Sequence, residues 1–189
     1  MRFRRQRFIP EKKRIYLGCE GKSEFGYASF LQGLLRDQNL PVHILIQDLG
    51  SGAGDPLSRI ELAVRHLHQL RSTREAPADR FIMLDNDPQK DHQPRVKMAH
   101  ELATKNGIIV IWQLPSFEAL LLRHLKDCET LQPPNTEVAF EILSKKWPEY
   151  EKGATRTELA RTLNLAAVLR AAKVEQQLAT LLRCIGLLT

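Results

Sequence analysis

Asp85 and Asp87 close the segment Arg80-Phe-Ile-Met-Leu-Asp-Asn-Asp-Pro88, an apolar run that ends in two carboxylates set two residues apart. Side chains alternate along an extended backbone, so these two project to the same side and can converge. Carboxylates that close repel each other unless one takes a proton or a cation sits between them. An all-oxygen site of this kind suits Mg²⁺ or Mn²⁺. The same residues also suit a plain Asx-type turn, in which Asp and Asn bond their own backbone at a strand end. Three further acids lie near comparable boundaries: Glu20 and Glu24 in Cys19-Glu-Gly-Lys-Ser-Glu24, and Glu118 in Leu114-Pro-Ser-Phe-Glu118.

These acids need elements to bring them together. Arg14–Cys19 reads as a short buried strand, followed by a helix with Ser23 as N-cap and Phe25, Tyr27, Phe30, Leu31, Leu34 and Leu35 at helical spacing. Pro41–Ile46 is a second strand. Asp55-Pro56 then opens a helix whose inward face is Leu57, Ile60, Val64 and Leu67. Phe81–Leu84 is the third strand, a helix spans Val96 to about Lys105, and Ile108–Trp112 is a fourth strand, apolar throughout as a doubly covered parallel strand should be. Pro115 stops it, Ser116 can cap the next helix, and Glu118 falls in that helix's first turn. The helix macrodipole accounts for a glutamate there without chemistry. The position also brings it to the carboxyl edge of the sheet with Glu20 and Asp85, the edge where open parallel sheets bind ligands.

Beyond Pro133-Pro134 the pattern turns all-helical, with helices near Val138–Lys146, Thr157–Leu163 and a long Asn164–Leu182. The expected organisation is a basic arm at 1–13, an α/β core at 14–130 and a helical C-terminal extension at 131–189. That extension covers the sheet or forms a subunit contact, as in a homodimer.

The glycines of Gly50-Ser-Gly-Ala-Gly54 lack the Lys-Ser/Thr of a Walker loop and the GxGxxG spacing, and read as a flexible loop near the site. His66 and His68, two apart on a helix, are wrongly spaced to share a metal, and His92 reads as an exposed loop residue.

The 189 residues carry a net charge of +6, but the excess is local. Seven of the 28 basic residues (Arg2, Arg4, Arg5, Arg7, Lys12, Lys13 and Arg14) and one of the 22 acids fall in residues 1–14, leaving 21 of each elsewhere. Such an arm suits a polyanion, because neutralised phosphates release counterions, and Phe3 and Phe8 could stack on bases. It also suits a solvated tail. Lys22, beside Glu20, could steady a phosphate. No apolar run reaches the ~18 residues of a membrane span, and the N-terminus lacks a secretory h-region. Cys19, Cys128 and Cys184 are odd in number and in no CxxC pair, which points to reduced thiols in the cytoplasm.

The order strand–Glu-Gly–helix, then strand–Asp-x-Asp, within βαβαβαβ resembles the TOPRIM domain of topoisomerases, primases and OLD-type nucleases. Cys19-Glu-Gly-Lys-Ser-Glu24, Leu84-Asp-Asn-Asp87 and Leu114-Pro-Ser-Phe-Glu-Ala-Leu-Leu-Leu-Arg-His124, with the polar Tyr150-Glu-Lys152 after a helix, are similar to the RloB-like family over roughly residues 13 to 155. The resemblance implies a TOPRIM-like parallel four-stranded sheet flanked by helices. It also implies a Mg²⁺- or Mn²⁺-dependent nuclease acting on DNA or RNA, tRNA included, in phage defence beside an ATPase partner.

By this resemblance Glu20 is general base or metal ligand, Asp85 and Asp87 hold the metal, and Glu24 and Glu118 are further ligands. A different class remains open: a non-catalytic nucleic-acid-binding or regulatory subunit with a structural acidic site. A phosphatase with an aspartate nucleophile is disfavoured, because Asp87 is followed by Pro88-Gln89 with no Thr or Ser, and Glu20 would have no role.

Overall fold

The computed structural model describes residues 12–50, 55–71, 73, 76–88 and 92–189. The chain is α/β. Strands β1 (Lys13–Cys19), β2 (Val42–Asp48), β3 (Asp79–Asp85) and β4 (Ile109–Gln113) form one parallel sheet in the order β2-β1-β3-β4. Between them run α1 (Lys22–Asp37), α2 (Pro56–Arg71) and α3 (Gln93–Lys105). After β4 come α4 (Phe117–His124), α5 (Thr136–Lys146), α6 (Arg156–Thr162), α7 (Leu165–Ala172) and α8 (Gln176–Ile185).

The period-2 pattern of the strands decides which acids can meet. Ile15, Leu17 and Cys19 of β1, Phe81 and Met83 of β3 and Ile111 of β4 pack into one core with α1 and the C-terminal helices. The alternate residues Tyr16, Ile82, Leu84 and Val110 face the other side, against Leu57, Ile60 and Ala63 of α2 and Ala99 and Ala103 of α3. One residue beyond each run, Asp85 and Gln113 inherit the face of Met83 and Ile111, so both point toward α1 and α4. They are also register partners across β3 and β4. The chain leaves β1 for α1 on one face and β3 for α3 on the other, so β1 and β3 flank a topological switch point, the crevice where such sheets bind ligands.

The helix boundaries differ from expectation in two places. The first helix begins at Lys22 with Gly21 as its N-cap, not Ser23. The Ser23 hydroxyl instead accepts the Gly153 N–H at 2.9 Å, joining α1 to the segment before α6. The long helix expected over 164–182 is two helices, broken at Lys173-Val174-Glu175. Val168, Ala171 and Ala172 pack into the core, but the next inward position of that face is Glu175, which pairs with the buried Arg123 of α4 at 2.7 Å. Asn164 and Thr155 cap α7 and α6 through their side chains, the latter in a full capping box with Glu158. Among the described residues no helix is long and apolar enough to cross a membrane.

Candidate active site

Glu20 follows β1 directly, and its carboxylate accepts the backbone N–H of Asp85 at 2.9 Å, bridging the ends of the two strands that flank the switch point. Glu24, in the first turn of α1, is buried. Burial pushes its carboxyl up from the ordinary range to about 7, helped by the charges of Glu20 and Glu118 and opposed by backbone N–H donors at the start of the helix. Asp85 is pushed well above the usual carboxylate range, first by burial and then by Glu24, Glu20 and Glu118; a hydrogen bond from the Phe117 N–H at the start of α4 pulls the other way. Four carboxylates from three segments therefore share one poorly solvated space.

Gln113 is the neutral member of the group. With its amide turned as the surrounding acceptors require, its nitrogen donates to Glu24 Oε1 at 3.1 Å and Asp85 Oδ1 at 2.7 Å. Glu118 is buried. One carboxylate oxygen accepts the Ser116 hydroxyl at 2.8 Å, while the other faces the Tyr150 hydroxyl at 3.5 Å and the Lys152 ammonium at 3.7 Å. Lys152 also sits 5.0 Å over the ring of Phe140. Ser116 is the N-cap residue of α4, as expected, but its hydroxyl is spent on Glu118 and makes no cap hydrogen bond.

Asp87, two residues beyond Asp85, is buried. Its carboxylate accepts both the backbone N–H (3.2 Å) and the hydroxyl (2.8 Å) of Thr136, the first residue of α5. β3 ends at Asp85, although the Asn86 N–H still bonds the Gln113 carbonyl at 3.0 Å.

Of the basic candidates, Arg2, Arg4, Arg5 and Arg7 lie outside the described residues. Lys12 is exposed. Lys13 pairs with Asp79 at 2.8 Å and donates to the Cys184 carbonyl at 3.1 Å. It opens β1, a strand of roughly 20 Å, and so lies at the edge of the sheet opposite Glu20. Lys22 is exposed beside Gly21.

Gln113, Ser116, Tyr150 and Lys152 had no assigned part in the site. Gln113 was legible in principle: a polar residue two after Ile111 ends an otherwise apolar strand. Tyr150 and Lys152 are distant in sequence from every other member, and only tertiary packing brings them in.

The donor chemistry fits a hard divalent cation. All four acids offer oxygen, and positive charge is what their mutual repulsion lacks. Among the described residues, no three His, Cys, Asp or Glu side chains are placed to hold a metal ion together. Mg²⁺ does not require three, since it keeps several waters and takes one or two carboxylates.

No curated protein and no solved structure matches the chain. A sequence model of the RloB-like proteins matches residues 15–183, from within β1 to the last turn of α8. With its three motifs gathered at one sheet edge and the match running nearly end to end, the chain belongs to the RloB-like protein family.

Proposed function

We propose that the chain is a Mg²⁺- or Mn²⁺-dependent nuclease that hydrolyses phosphodiesters of DNA or RNA, with tRNA among the candidate substrates. The observation that carries this reading is the meeting of Glu20, Glu24, Asp85 and Glu118 at the switch point, where burial and like charge push Glu24 and Asp85 toward protonation. Glu20 and Asp85 would hold the cation, with Glu24 and Glu118 as further ligands. Bound there, it would polarise the phosphodiester and lower the pKa of an attacking water.

The chain's own residues supply the rest. Glu20 is half-buried, able to reach a water as general base. Glu24, at about 7, can hold or release a proton near neutral pH, where acid–base catalysis is most effective. Ser116, Tyr150 and Lys152 fix Glu118. Asp87, bonded twice to Thr136, fastens α5, and in this reading it is not needed as a ligand. The family resemblance supports a cytoplasmic setting in phage defence beside an ATPase partner, with the arm at residues 1–13 gripping the polyanion.

One observation favours a second reading, a nucleic-acid-binding subunit that does not cut: among the described residues no three of the acids are placed to hold a metal ion together. Cleavage of labelled DNA, RNA and tRNA by the purified chain, with Mg²⁺, Mn²⁺ or EDTA, separates the two. The nuclease reading predicts cutting that EDTA abolishes and that Asp85→Asn lowers by 10³-fold or more, on the order of 4 kcal/mol of barrier. Salt-sensitive binding by wild type and Asp85→Asn alike, with no cutting in any metal, would transfer the weight to the binding subunit.

A further inference from the structure

Beside the acidic cluster lies a groove of about 400 Å³, between the start of α1 and the segment Gly153–Arg156. On it stands Phe25, a large ring with 41% of its surface in water. The walls are set by close packing: a Cβ added at Gly26 would stand 2.0 Å from the Ala154 carbonyl oxygen, and the Gly153 N–H is bonded to Ser23.

Two cations line the groove, Lys22 and Arg156, and neither makes a hydrogen bond or ion pair among the described residues. The guanidinium of Arg156 lies on the backbone of α1, close enough that a Cβ at Gly33 would meet its Nε at 2.7 Å. Asp48, the one carboxylate in the lining, accepts the Gly50 N–H at 2.7 Å. Lys22 lies one turn before Phe25 on α1, while the Arg156 guanidinium lies at Gly33, about 16 Å of helix beyond Lys22; ring and ammonium complement a base and its phosphate, and the guanidinium a neighbouring phosphate. The groove also shares a wall with the site, because Tyr150 and Lys152, just before Gly153, face Glu118.

We infer that this groove seats one unpaired nucleotide of the substrate strand beside the phosphodiester at the acidic cluster, with its base on Phe25, its phosphate at Lys22 and a neighbouring phosphate at Arg156. The ligand class rests on the nuclease reading. A base offers its face to a ring only when it is not stacked in a duplex, so the seat favours single-stranded or frayed substrate over intact double helix.

The test is fluorescence anisotropy with the full chain in EDTA, using a short labelled single strand, its duplex and unlabelled AMP as competitor. Phe25→Ala weakens single-strand binding about tenfold, as loss of one base-stacking ring does, while Phe25→Trp restores it and duplex binding is unmoved. Arg156→Ala weakens binding and lowers the salt slope by about one. Phe25 is exposed, so Phe25→Ala unfolds at the wild-type temperature. The seat is overturned if wild type binds no single strand, if Phe25→Ala and Arg156→Ala bind as wild type does, or if AMP competes as well as the strand, which marks a mononucleotide pocket. Cleavage that needs Asp85 with Phe25→Ala binding normally would sink the seat alone. Loss of binding in Phe25→Ala with no cleavage by any variant would sink the nuclease reading alone.

Discussion

Glu24 shows what the cluster needs. A buried carboxyl raised to about 7 binds its proton more tightly folded than unfolded, so its part in stability is fully present at acid pH and is lost as pH rises from about 4.5 through 7. For Glu24 alone that loss is on the order of 3 kcal/mol in metal-free protein. His124 works the other way: fully buried, bonded to Tyr27 at 2.7 Å and held down to about 4 by burial, it favours folding as pH rises through the same range. The informative quantity is therefore a difference between variants. Glu24→Gln should gain stability relative to wild type as pH rises from 5 to 8 in EDTA, measured by urea unfolding. A difference that stays flat across that range would mean Glu24 is solvated and the acids are not crowded together.

At the scale of elements, the sites of the acids follow from where strands stop. Glu20, Asp85 and Glu118 were legible at one sheet edge because each adjoins an apolar run with a turn or cap after it. Asp87 was paired with Asp85 on a period that holds within a strand, and β3 ends two residues before Asp87. Its two bonds to Thr136 also give it a fastening role. Asp87→Ala should then cost about 1–2 kcal/mol, a drop of a few degrees in Tm for a chain of this length, measured without metal. Relief of charge repulsion would leave Tm unchanged or raise it, and that result would return Asp87 to the cluster. The break between α7 and α8 was hidden for a related reason. A helical run can be read from Leu165, Val168 and Leu169, but the pull of Arg123 on Glu175 is a contact between residues 52 apart in the chain.

For the whole molecule, the four-stranded parallel sheet and its flanking helices were readable from hydrophobic periodicity, and the family from three motifs in register. The participation of the C-terminal helices in the main core was less so. Leu143, Leu159, Val168, Leu178 and Ile185 bury themselves with Leu17 and Phe81 of the sheet, and the segment between α5 and α6 carries Tyr150 and Lys152 to Glu118. Lys13 opens β1 at the far edge of the sheet, about a strand length from the acids. Glu20, Glu24, Asp85 and Glu118 thus form a centre that the entire fold converges on. Titration of Mn²⁺ followed by electron paramagnetic resonance at pH 7.5 tests that centre most directly, across wild type, Asp85→Asn and Asp87→Asn. One bound Mn²⁺ in wild type and Asp87→Asn, lost or weakened at least tenfold in Asp85→Asn, is the result predicted; equal binding by Asp85→Asn, or none by wild type, would contradict a metal centre at this edge.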